Sequence, residues 1–229
     1  MASEHSTNAQ DLRERFRLTG IITLVGSGVM LTGSVLWGLT GTDLWAALDG
    51  GDVAACRREA GVVKTQLVAN LSFWIVGVFI LGMAGGHMAA LSERRWASSQ
   101  AALLSFWTAV PLAIIGFLTM LALVVEIGSA TSETAIYVAR VVSWVGVRAE
   151  DIATALLIGA GPFFVSLAGR GDWVPKWLLY WSYLAFISGL FSMAVLYFPG
   201  MTKYGFVIVP VGMGWMVAAG IVLLRRKSR

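Results

Sequence analysis

Long apolar runs separated by short polar punctuation dominate the chain: Leu18 to Thr42, Thr65 to Ser92, Trp96 to Val125, Trp177 to Thr202 and Tyr204 to Leu224, with a shorter run from Ile152 to Gly169. A bilayer core is about 30 Å thick and a helix rises about 1.5 Å per residue, so about 20 apolar residues make one span. The pattern predicts an all-α membrane protein, a six-transmembrane-helix bundle with spans at 18–41, 65–92, 98–125, 152–169, 177–199 and 204–224. Residues 1–17 form an N-terminal tail and 225–229 a basic tail. The first run is too long for the roughly 7 to 15 apolar residues of a signal peptide, and no convincing small-residue cleavage site follows it, so it is expected to remain as an anchor.

The linker between helices 3 and 4 departs from this pattern. From Glu126 to Asp151 it carries six charged residues among Ile136, Tyr137, Val138, Val141, Val142, Trp144 and Val145. Positions 137, 138, 141, 142 and 145 share one helical face, which predicts an amphipathic helix. It either lies at the outer interface or extends the fourth helix above the membrane. Thr131 or Ser132 is placed to cap its start, with Glu133 beside the positive end of the helix.

Composition agrees: 57% of the 229 residues are hydrophobic and 13% charged, against about 25% charged in a soluble domain. An ordinary soluble enzyme is excluded, and with 17 basic against 13 acidic residues no basic surface argues for nucleic acid. The basic residues are unevenly shared. Arg13, Arg15, Arg17, Arg94, Arg95, Arg170, Lys176, Arg225, Arg226, Lys227 and Arg229 fall on one side of the predicted topology. Arg57, Arg58, Lys64, Arg140, Arg148 and Lys203 fall on the other. The positive-inside rule makes the richer side cytoplasmic, with both termini there, as expected of a multi-pass protein of the cell inner (plasma) membrane. Asp43, Asp49, Asp52, Glu59, Glu126, Glu133, Glu150 and Asp151 gather on the outer side. Trp37, Trp45, Trp96, Trp173, Trp177 and Tyr204 lie near span ends, where aromatic rings anchor at the headgroups.

Small residues recur at helix-packing spacing: Gly82 with Gly86 and the adjoining Gly85, Ala155 with Gly159, and Gly214 with Ala218, besides Gly26, Gly28, Gly33 and Gly38 in the first span. Such faces pack helices within a chain or join copies as an oligomer. Pro111, Pro162 and Pro210 fall inside three spans, where each removes a backbone donor.

The polar residues at the outer mouth are the candidate site. Lys64, Gln66 and Asn70 of the second span, Glu126 of the third, Arg140, Arg148 and Glu150 of the linker and Asp151 of the fourth are expected to surround an outward-facing polar vestibule. Ionisable groups near hydrocarbon must pair or face water. An interfacial ion pair of Arg148 with the acids is the plainer alternative. His87, near the cytoplasmic end of the second span, is expected to be an interfacial histidine; a dyad with Ser27 lacks the glycine-flanked motif of an intramembrane serine protease. With His5 the only other histidine and Cys56 the single cysteine, no haem or zinc ligand spacing exists, and neither cofactor nor metal is expected. Cys56 cannot form an intrachain disulfide. The sequon Asn70-Leu71-Ser72 lies inside a span and is spurious.

Glu150-Asp151-Ile152-Ala153-Thr154-Ala155-Leu156-Leu157-Ile158-Gly159, followed by Trp173-Val174-Pro175-Lys176-Trp177-Leu178, resembles a family of uncharacterised prokaryotic multi-span integral membrane proteins of unknown function. In that family a short basic W-x-P-x-W-L loop leads into the fifth helix and a basic tail closes the chain, as Leu224-Arg225-Arg226-Lys227 does here. The resemblance implies a bacterial membrane protein and brings no substrate or catalytic residue. Three functions stay open: a non-enzymatic structural, regulatory or sensor protein, foremost; a small transporter or permease; and a membrane enzyme acting on a lipid or small polar substrate at the outer rim. A small-molecule ligand or a membrane-protein partner is expected besides the lipid bilayer.

Overall fold

The computed structural model describes all residues except 1, 42–43, 93–94, 128–131, 195–197, 199–207 and 227–229. Some residues singled out by the sequence, among them Thr131 as a cap, Tyr204 as an anchor and Arg94, Lys203 and Lys227 as charges, lie outside the described residues, as do the side chains of His5 and Trp45. The chain is all-helical over the described residues: α1 (Ala2–Thr40), α2 (Leu44–Gly50), α3 (Val53–Ala90), α4 (Trp96–Glu126), α5 (Glu133–Thr154), a π-helical segment (Ala155–Ala160), α6 (Gly161–Ala168), α7 (Lys176–Ala194) and α8 (Ile208–Arg225). Six helices are long and apolar enough to cross a membrane, the fourth being the continuous run Glu133–Ala168.

That continuity settles the linker. The amphipathic segment extends the fourth helix, and Ser132 caps its start, the hydroxyl accepting a hydrogen bond from the Ala135 amide at 3.2 Å. The periodic apolar face does not turn inward. Tyr137, Val138, Val141 and Val145 are exposed, as is Trp144, while Ile136 and Gly146 are buried. In water that face would seek a core; in a bilayer, lipid tails are as apolar as leucine and receive it directly.

Two compact units divide the chain. One comprises residues 1–27, 79–110 and 151–229. Here the glycines receive neighbours from the same chain. Gly82 faces Val110, and the ring of Phe106 lies over Gly85. A Cβ on Gly20 would come within 2.9 Å of the Gly220 carbonyl, so α1 and α8 approach backbone to backbone. Gly159 and Gly189 meet likewise, with 3.2 Å from a Cβ on the first to the Cα of the second. Gly86 is loosely surrounded and Gly28, in the other unit, faces nothing within 4 Å.

Pro162 follows the π-helical turn, in which the Gly161 amide donates to the Leu156 carbonyl rather than one residue nearer. A proline ring cannot donate to the carbonyl four residues back, here that of Ile158. That carbonyl instead abuts Gly212 of α8, where any side chain would collide with it. The wide turn thus lets α6 resume past the proline while its displaced carbonyl meets the one residue type able to approach so closely. Pro111 is interior to α4, and Pro210 is the third described residue of α8.

The second unit comprises residues 28–78 and 111–150. It contains α2, a short helix missed by a search for spans, whose Leu44 and Leu48 are both buried. Gly51, at φ +72°, makes the left-handed turn from α2 to α3, and the Asp52 carboxylate caps α3 by accepting from the Ala55 amide at 2.9 Å. Cys56 is buried in the first turns of α3 with its thiol free.

Candidate functional site

Of the predicted vestibule residues, those up to Glu150 lie in the second unit and separate there by level along its helices, while Asp151 belongs to the first. Lys64 marks the far end: its Nζ donates to the Val125 carbonyl at 3.0 Å, satisfying an acceptor that the last turn of α4 would leave unpaired. Glu126 is the adjoining residue and is exposed, as are Gln66 and Arg140. Trp74, ten residues along α3 from Lys64, packs on Phe117 with ring centroids 5.3 Å apart, which fixes how the two helices run past each other.

Glu150 lies on a different level. A Cβ on Gly116 would sit 2.8 Å from the Gly146 carbonyl and 3.2 Å from the Glu150 amide, so α4 and α5 touch there through backbone. Gly116 is ten residues before Glu126, a separation of about 15 Å along the axis. Arg148 and Glu150, both half-buried, belong to this deeper level. Arg148 holds its guanidinium 5.9 Å from the Trp144 ring centroid, a cation–π contact. Asp151, the next residue along the helix, is half-buried too. None of Glu126, Arg148, Glu150 and Asp151 is without a partner.

Asn70 takes no part in a surface site. It is fully buried, and its Nδ2 donates to the Gly33 carbonyl at 2.9 Å. One turn on, the Trp74 indole donates to Ser34 Oγ at 3.3 Å. These two bonds lock α1 to α3, with Trp74 lying over Gly33. Asn70 Oδ1 is left without a hydrogen bond. The sequence marked Asn70 as polar in an apolar run but not which helix it would face.

In the first unit His87 is exposed, while Ser27 is buried with an unbonded hydroxyl. The two therefore form no dyad. Among the described residues no group of three His, Cys, Asp or Glu is placed to hold a metal.

Sequence reasoning missed a polar cluster at the basic end of this unit. Arg226 donates to the Asp172 carbonyl at 2.7 Å and to its carboxylate at 2.5 Å, and stacks over Phe16 with 4.7 Å to the ring centroid. Arg95 donates to the Leu167 carbonyl at 2.9 Å, capping the end of α6. Trp173, expected to anchor at the headgroups, is only 3% exposed, and its indole donates to Ser92 Oγ at 2.9 Å. The correction has a simple cause: the turn at Gly171, with φ +80°, folds the loop back so that Trp173 is inserted over Gly169. Trp96 and Trp177 are exposed, as anchors would be.

Compared with protein-family models, curated proteins and solved structures, the chain matches none. The resemblance carried by residues 150 to 180 thus finds no counterpart among them.

Proposed function

We propose that the protein is a non-enzymatic, multi-pass protein of a bacterial plasma membrane, regulatory or sensory, with both termini cytoplasmic and an outward-facing polar region that receives a small polar ligand or a membrane-protein partner. One observation carries this reading: the charges of Arg148, Glu150 and Asp151 sit half-buried partway along the continuous helix Glu133–Ala168, between its amphipathic first part and its apolar second part. Asp151 is 17 residues from the Ala168 end, about 26 Å along the axis. Ionisable residues held at such depth cost free energy unless they pair or face water, and they commonly mark functional positions. The small-transporter reading draws on the same half-buried charges, since ionisable residues within a spanning helix also mark substrate and ion paths.

The test is accessibility. In a Cys56→Ser background, Glu150→Cys should react with a membrane-impermeant thiol reagent applied to the outside of intact cells. Failure to react from either side would show a closed, purely structural ion-pair network. If vesicles containing the protein accumulate a solute, and Asp151→Asn abolishes that uptake while leaving the folded yield intact, the transporter reading replaces the first.

A further inference from the structure

At the basic end of the first unit, α7 and α8 leave a groove of about 460 Å³. It is lined by Trp173, Pro175 and Trp177, and by Ala218, Ile221, Val222, Arg225 and Arg226. Ala218, Ile221, Val222 and Arg225 are spaced i, i+3, i+4, i+7 and so form a single stripe of α8, exposed at Ile221 and Arg225 and half-buried at Ala218 and Val222. Below Arg225 that stripe is wholly apolar.

The two arginines differ in what they are free to do. Arg226 is committed to Asp172 and Phe16, and its charge is balanced by that carboxylate. Arg225 is exposed and has no partner among the described residues. Lys176, at the start of α7, is exposed beside Trp177. The groove therefore offers an unspent cation at one end of its α8 stripe, an exposed indole in its lining, and an apolar stretch of Ala218, Ile221 and Val222 leading from Arg225 toward the middle of α8.

We propose that this groove seats one anionic phospholipid: the phosphate against Arg225 and Lys176, the glycerol region beside the Trp177 indole, and an acyl chain along Ala218, Ile221 and Val222. Its size falls within the roughly 300–1,000 Å³ of ordinary ligand pockets. A basic residue near the membrane surface attracts anionic lipid by about 1 kcal/mol, or roughly fivefold in affinity. Indoles favour the headgroup level, where one end is apolar and the other wet. The proposal is independent of the reading for Arg148, Glu150 and Asp151, and requires only that the helices lie in a bilayer.

The experiment uses the full chain reconstituted in phosphatidylcholine vesicles carrying a stepwise increasing fraction of either dibrominated phosphatidylglycerol or dibrominated phosphatidylcholine. Bromine quenches tryptophan emission on contact, and the difference between wild type and Trp177→Phe isolates the groove from the other indoles. We expect the Trp177 signal to be half-quenched at roughly fivefold less brominated phosphatidylglycerol than phosphatidylcholine. Arg225→Gln should erase most of that preference, and Lys176→Gln should weaken it. Ala218→Phe, which fills the groove, should reduce quenching by both lipids. Equal quenching by the two lipids in the wild type, an undiminished preference in Arg225→Gln, or unchanged quenching in Ala218→Phe would each overturn the proposal. Circular dichroism and size-exclusion elution like the wild type's will identify variants that fold. Should Arg225→Gln not fold, Lys176→Gln decides the electrostatic claim.

Discussion

At the scale of single residues, Gly212 shows what the helix contacts demand. Its Cα lies against the Ile158 carbonyl that Pro162 leaves without its usual amide, so a methyl group at 212 would strike backbone that has little room to yield. Gly212→Ala should destabilise the protein by about 1–3 kcal/mol, as overpacking does, visible as a lower midpoint of unfolding in detergent. Gly28→Ala, with nothing within 4 Å, should leave the midpoint unchanged or raise it slightly. Equal effects at the two positions would remove this account of the α6–α8 contact. The glycines were legible in the sequence as small-residue spacings, yet Gly212 belonged to none of the pairs that spacing picked out. Its role depends on a carbonyl fifty-four positions away, and no local pattern records that. Asn70 teaches the same: its polarity stood out, but its partner is the main-chain oxygen of Gly33, which carries no side-chain signature.

Among elements, the fourth helix departs furthest from a simple reading. All six spanning helices were legible because charge-free runs of that length have few other uses. Their limits were less so: α3 begins at Val53 rather than Thr65, and the fourth helix at Glu133 rather than Ile152. Charged residues inside a helix masked its start because hydropathy alone reads them as loop. The linker's periodicity was correct, but periodicity does not say whether a face meets protein or lipid. Val141, exposed on that face, supplies the check. Val141→Lys should lower the yield of folded, inserted protein, since a lysine within the hydrocarbon costs up to about 2.5–3.5 kcal/mol. Arg140→Gln, its exposed neighbour, should not. An unaltered yield for Val141→Lys would place that face in water.

For the whole molecule, the uneven sharing of basic residues predicts one topology. In a Cys56→Ser background, Arg57→Cys, exposed near the start of α3, should react with an impermeant thiol reagent on intact cells, and Arg170→Cys only after the membrane is permeabilised; the reverse result would invert the orientation. Much of the candidate site was legible as a set of residue names, because charges in an apolar chain are conspicuous. Its arrangement was not, since placing Glu126 and Asp151 at one mouth assumed that helices 3 and 4 end level. The continuous fourth helix instead carries Glu150 down beside Gly116, while Lys64 remains at the end of α4.

The clasp of Arg226 on Asp172 and Phe16 also has a bearing on how the chain is made. Asp172 leaves the ribosome 54 residues ahead of Arg226, and Phe16 far earlier still. Neither can close on its arginine until α8 has been threaded into place, so the first helix and the Gly171 turn wait through most of synthesis with that side unfastened. Assembly of this end is thereby tied to the arrival of the sixth span, and a chain interrupted before Arg226 would expose to quality-control proteases a corner that the finished protein keeps shut.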